Sequence, residues 1–223
     1  DDLAGCGLVI EAVFEDVGIK ADVTAKTEAV IGDDAIFASN TSTLPITGLA
    51  KASKNPEQFI GIHFFSPVDK MPLVEVIVGE QTGEVAIAQA LDYIQQIRKT
   101  PIVVNDSRGF YTSRVFGTYS KEGIMMLAEG VNPALVENVS KHAGMPVGPL
   151  AVTDEVSIEL SYHVLKMTKE GLGNDYVASS ADGVITKFIE ELDRKGKKSG
   201  KGFYDYPEDG RKHLWPGLAE HYP

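Results

Sequence analysis

The sequence predicts an α/β domain followed by an all-α domain, and three observations carry that prediction. Short β-branched runs alternate with helical patterns in the first half. The apolar residues of the second half fall almost entirely at helical spacing. Between the halves the rhythm changes at a turn-rich stretch, Asp106-Ser107-Arg108-Gly109. The domains are therefore drawn as residues 1–105 and 106–223.

Five strands are expected, in order: Leu8-Val9-Ile10, Ile36-Phe37-Ala38, Phe59 to Ile62, Leu73 to Val78 and Pro101 to Val104. Ile19, Val23, Thr27, Val30 and Ile31 place a helix between the first two. Ala86, Ala90, Tyr93, Ile94 and Ile97 place another before the last. In the second half a helix is expected from about Phe110 to Glu129, stopped by Gly130. The next starts after Asn132 as N-cap, with Pro133 at its first position, and runs to about Ala143. Further helices are expected over roughly Leu150 to Glu170 and Val184 to Lys195. A doubly wound nucleotide domain normally opens with a strand, a Gly-rich turn and a helix that receives the pyrophosphate. Here Gly5 and Gly7 precede the first strand and read as a surface turn, so the sequence reads as starting inside such a domain.

Composition narrows the function classes. With 43% hydrophobic residues in 223, there is enough apolar material for one sizeable core or two smaller ones. A formal charge of −11 argues against nucleic acid, whose phosphates require clustered Lys and Arg. The single cysteine, Cys6, can form neither an internal disulfide nor a Cys-rich metal site, which fits a reducing compartment such as the cytoplasm. No run reaches the roughly 18 apolar residues of a membrane span. The opening Asp1-Asp2-Leu3 is unlike a signal peptide.

The stretch from Ser39 to Val76 carries the chemistry. Ser42 offers a hydroxyl and His63 an imidazole, the side chain that titrates near neutrality. Glu75 offers a carboxylate able to fix the imidazole tautomer and stabilise its protonated form. Each has a bland reading. Taken alone, His63 among Ile62, Phe64 and Phe65 reads as a core residue, and Glu75 between Val74 and Val76 as a solvent-facing strand position. Ser39 to Thr43 reads equally as turn and N-cap, and Glu15 with Lys20 as a solvated helix face. Arg194 to Lys201 reads as a charged helix end, and Asp154-Glu155 as acids favouring a helix start.

Five blocks in order, FASNTSTLPIT, GIHFFSPVDKMPLVEVI, TPIVVNDSRGFYTSR, GMPVGPLAVTDEV and GKKSGKGFYDY, resemble the 3-hydroxyacyl-CoA dehydrogenase family. HFFSPV with MPLVEV is most similar to the versions inside multifunctional fatty-acid oxidation enzymes. The resemblance runs from about Leu8 to Tyr206 and implies the C-terminal part of a Rossmann-like dinucleotide domain followed by a helical domain. It lacks the family's N-terminal Gly-rich segment, so a piece of a longer enzyme is expected, inactive on its own.

The resemblance implies NAD-dependent oxidation of an (S)-3-hydroxyacyl-CoA to the 3-oxoacyl-CoA in fatty-acid β-oxidation. His63 would be the base, Glu75 its orienting carboxylate and Ser42 the group that holds the substrate hydroxyl. For NAD it implies Glu15, Lys20, Asn40, Ser42 and Lys198, and near the substrate Ser66 and Ser113. At those last two positions single-function members resemble HFFNP and VNR, with amides where this chain has hydroxyls. A homodimer, or packing against further domains of a larger polypeptide, is implied for the helical domain, with exposed apolar surface where that partner sits. Two alternatives stand beside this reading: a non-catalytic scaffold module, and a related hydroxyacid or diketone reductase acting without CoA.

Overall fold

The computed structural model describes residues 2–223; Asp1, the first of the acidic opening residues, lies outside the described residues. The chain divides into two compact units, one ending at Val115 and the other starting at Phe116.

The first unit is built from β1 (Leu8–Glu11), α1 (Val17–Glu28), β2 (Ile36–Ser39), α2 (Ile46–Ala50), β3 (Phe59–Phe64), β4 (Leu73–Val78), α3 (Glu84–Gln96) and β5 (Thr100–Asn105). The strands form one sheet in the order β1-β2-β3-β4-β5. β1, β2 and β3 run parallel, β4 turns antiparallel to β3, and β5 is parallel to β4. Central strands covered on both faces need apolar residues at consecutive positions, which is why the runs are nearly unbroken. On one face Ile36, Ile60, Ile62, Val74 and Val76 pack with Ala86, Ala90 and Ile94 of α3. Full burial of each such Ile or Val contributes roughly 1.5–3 kcal/mol. On the other face Phe37, Phe59 and Ile77 pack with Leu44, Ile46, Leu49 and Phe110. β3 and this layer meet without a gap at Gly61, where a Cβ would stand 2.8 Å from both Ile46 Cδ1 and Ile77 Cβ. Asp16 starts α1 by accepting from Ile19 N at 2.9 Å.

A longer helix, α4 (Thr112–Ala128), leads from this unit into the next. The second unit continues with α5 (Pro133–His142), α6 (Pro149–Val156), α7 (Ile158–Leu172), α8 (Ser180–Glu190), a short antiparallel pair β6 (Tyr204–Asp205) and β7 (His213–Leu214), and α9 (Leu218–His221). Ile124, Leu127, Leu150, Ile158, Val184, Phe188 and Phe203 form its core. Asn132 caps α5 as the sequence predicts, accepting from Ala134 N at 2.9 Å. Among the described residues no helix is long and apolar enough to cross a membrane.

Four expectations for this unit are corrected. The helix expected over Leu150 to Glu170 is two, because Ser157 takes φ 105° and restarts the chain, its hydroxyl accepting from Leu160 N. The helix expected from Val184 to Lys195 begins at Ser180 and ends at Glu190; Ser179 and Asp182 form a capping box upstream of the apolar pattern. Asp154 stands in the last turn of α6, not at a helix start, and is buried. Its carboxylate accepts from Phe203 N, Tyr204 N (both 2.8 Å) and the Tyr206 hydroxyl (3.0 Å). Arg194 is not a solvated helix end; it is buried and donates to Gly202 O, Tyr204 O and Asp205.

Candidate active site

β3 and β4 are joined by residues 65–72, and their antiparallel register sets His63 directly opposite Glu75. Facing residues of an antiparallel pair share one side of the sheet, so the two side chains meet without help from a loop. His63 Nδ1 lies 2.8 Å from Glu75 Oε2. His63 is 6% and Glu75 0% exposed, so the bland solvent-facing reading of Glu75 fails: both faces of β4 are covered. The rings of Phe65 and Phe110 flank the imidazole, with centroids at 4.6 and 6.1 Å.

Glu75 is tied on its other oxygen too. Tyr111 N and Thr112 N, at the start of α4, donate to Oε1 at 3.1 and 2.8 Å. The positive end of that helix favours the charge. Burial pushes the Glu75 carboxyl up, but the hydrogen bonds from His63 and the Thr112 amide outweigh it and hold the group below the usual carboxylate range. An ionised carboxylate only accepts, so Nδ1 carries a hydrogen and Nε2 is the nitrogen turned away from the pair. Among the described residues Nε2 makes no hydrogen bond, so the imidazole is oriented through one nitrogen and leaves the other open to a ligand.

The loop after β2 supplies the hydroxyl and amide groups. Asn40 Oδ1 accepts from Phe64 N at 2.9 Å, which fastens the loop to β3 one residue past His63. Ser42 is exposed, and its amide donates to Glu15 Oε1 at 3.0 Å. The same oxygen accepts from the Thr41 hydroxyl at 2.6 Å and from Thr43 N and Oγ1 at 3.1 Å. Burial pushes Glu15 up, yet these donors and the Lys20 charge bring it below the usual carboxylate range. Lys20 is 2% exposed, so the solvated-face reading fails for it. Its ammonium contacts Glu11 (2.9 Å), Glu15 (3.4 Å) and Val13 O (3.4 Å).

The first unit thus brings together His63 with Glu75, and Ser42 with Glu15 and Lys20. Ser66 lies exposed just past β3, and Ser113 half-buried in the first turn of α4 beside Thr112. Lys198 belongs to the second unit, exposed on a 3-10 turn, Lys197–Ser199. Sequence reasoning passed over Glu11, although an acid closing an apolar run was visible. It also passed over Phe110, whose left-handed backbone (φ 47°) follows Gly109 (φ 74°) and leads into the amides that reach Glu75. No local signal marks a Phe for that conformation.

The position of these residues suits a dinucleotide. β1, β2 and β3 are parallel, and Glu15, Asn40 and Ser42 stand just beyond their carboxyl ends, where open α/β sheets take ligands. Ser42 is exposed, and the Glu15 side chain remains 34% exposed and can accept from a ribose hydroxyl. These residues fit NAD.

Comparisons with known proteins follow the same lines. Residues 1–107 match the family model of the 3-hydroxyacyl-CoA dehydrogenase NAD-binding domain, and residues 109–206 that of the C-terminal domain. The fatty acid oxidation complex subunit alpha of Shewanella loihica is 41% identical over 207 residues, 93% of this chain and 29% of that protein. The chain therefore spans under a third of that relative's length. Among solved structures, (S)-3-hydroxybutyryl-CoA dehydrogenase from Ralstonia eutropha has 30% identity and a TM-score of 0.85, covering 93% of this chain and 73% of its own. The Escherichia coli 3-hydroxybutyryl-CoA dehydrogenase has 31% identity and a TM-score of 0.85, covering 96% and 45%. With both halves matched in order, this chain belongs to the 3-hydroxyacyl-CoA dehydrogenase family.

Proposed function

We propose that this chain carries the NAD-dependent oxidation of an (S)-3-hydroxyacyl-CoA to the 3-oxoacyl-CoA, as part of fatty-acid β-oxidation. The observation that carries the reading is the His63–Glu75 pair: a buried imidazole, oriented through Nδ1 at 2.8 Å, with Nε2 left to act. His63 Nε2 takes the proton of the 3-hydroxyl as the C–H bond breaks, and returns it in the reverse direction. NAD, when bound, supplies the hydride acceptor. Glu75 holds the ring in the productive tautomer and offsets the imidazolium charge, while remaining ionised itself. The Ser42 hydroxyl donates to the reacting oxygen and fixes the carbinol carbon in line. Glu15 and Asn40 hold the loop that presents Ser42, and Glu15 accepts from the cofactor ribose. Ser66 and Ser113 are assigned to substrate contact and Lys198 to the cofactor, on the family resemblance. The helical unit packs against a second copy or against further domains of a longer polypeptide.

The test of substrate class is oxidation of NADH by the full-length protein with acetoacetyl-CoA and with acetoacetate. Turnover with the thioester and little with the free acid is the expected result. Equal turnover with both would move the assignment to a hydroxyacid or diketone reductase, and binding of the thioester without turnover would make the unit a scaffold.

A further inference from the structure

Glu11 ends β1 with its carboxylate buried, and nothing in the proposed reaction uses it. Lys20 Nζ reaches both of its oxygens, at 2.9 and 3.0 Å. Val13 N donates to Oε2 at 3.0 Å, and the Ser39 hydroxyl donates to Oε1. Ser39 Oγ accepts in turn from Thr41 N at 3.3 Å, and the Glu11 carbonyl accepts from Asn40 N at 2.9 Å. Lys20 continues the chain of contacts to Glu15, whose Oε1 gathers the donors of Thr41, Ser42 and Thr43. One buried ammonium therefore joins two carboxylates; Glu11 holds Ser39 at the end of β2, and Glu15 holds residues 41–43 of the loop that follows.

A buried ion network of this kind is no better a filler than apolar side chains of the same volume, because desolvation offsets the Coulomb attraction. What it adds is direction, since each hydrogen bond fixes a particular atom. Here the fixed atoms belong to the loop that carries Asn40 and Ser42, and Asn40 is itself fastened to Phe64 N beside His63. We propose that Glu11 is a positioning residue: through Lys20 and Ser39 it fixes the loop bearing Asn40 and Ser42, and so sets where a substrate hydroxyl stands relative to His63. This rests on the roles of Ser42 and His63 proposed above. On this account Lys20 acts on the cofactor side only by placing Glu15.

The test uses the full-length protein and reads backbone amide exchange as well as turnover. In Glu11→Gln the amides of Ser42 and Thr43 exchange roughly 10-fold faster or more, while those of Val76 and Ile77 in β4 keep parent rates. Turnover falls roughly 10- to 100-fold, as expected for a misplaced reacting group. In a Ser42→Ala background the same substitution changes turnover less than about twofold, because the group it places is gone. Ser39→Ala, which leaves the Glu11–Lys20 pair intact, loosens the same amides and decides the matter if Glu11→Gln does not fold. Unchanged exchange at Ser42 and Thr43 would overturn the proposal, as would full multiplication of the Glu11 and Ser42 effects. Exchange needs no turnover, so a parent inactive on acetoacetyl-CoA would defeat the functional reading and still leave the loop coupling to be decided.

Discussion

His63 and Glu75 show how differently two residues of one site can be read from sequence. Twelve positions separate them, and nothing in that spacing says they face each other; the antiparallel register of β3 and β4 does. A Glu between two valines in a strand has a solvent-facing position as its ordinary reading, and only coverage of both sheet faces reverses it. Glu75→Gln keeps the shape but lets the amide favour the wrong imidazole tautomer, so kcat is expected to fall by about 100-fold or more with little change in KM. The same variant has a pH signature. The Glu75 carboxyl sits below its ordinary value of 4.5, so folding favours the ionised form. Its contribution to stability is complete above pH 4.5 and is lost as pH falls through the lower folded value. Acid denaturation followed by circular dichroism should show a shallower acid limb in Glu75→Gln.

At the scale of elements, the strands were legible because their apolar runs are short, β-branched and bounded by turns, and α5 because Asn132-Pro133 announces its start. The break at Ser157 was not legible. A serine at φ 105° has no sequence signature, and the amides it frees are met by Lys195 O, 37 residues from Ile158. β6 and β7 are only two residues long, too short for periodicity to report. The close approach of β3 and α2 yields a direct prediction. Gly61→Ala places a methyl 2.8 Å from Ile46 Cδ1 and Ile77 Cβ, so the midpoint of urea unfolding should drop, corresponding to about 1–3 kcal/mol of overpacking.

Along the chain, the sequence rhythm changes near residue 105 and the two compact units part between Val115 and Phe116, whereas the polar centre of the helical unit left no mark on that rhythm. Asp154 looked like an acid near a helix start, yet it stands in the last turn of α6 and gathers amides from residues 49 and 50 positions away. Gly202 permits this: a Cβ there would stand 2.0 Å from Asp154 Oδ1. Burial pushes the Asp154 carboxyl up to about 6, against the donors from Phe203, Tyr204 and Tyr206 and the Arg194 charge. A folded value above the ordinary 3.8 means that folding favours the protonated form, so this contribution is complete below pH 3.8 and is lost as pH rises through about 6. The shift corresponds to roughly 3 kcal/mol. Asp154→Asn should remove that downward slope between pH 4 and 6, as measured by denaturant titration at each pH.

The role proposed for His63, as the base of a 3-hydroxyacyl-CoA dehydrogenase, is decided by acetoacetyl-CoA-dependent oxidation of NADH in the full-length protein and its His63→Ala variant. Turnover is expected in the parent, and a loss of roughly 100-fold or more in the variant, the contribution of a positioned proton-transfer group, with NADH binding retained. Equal turnover in parent and variant would contradict it.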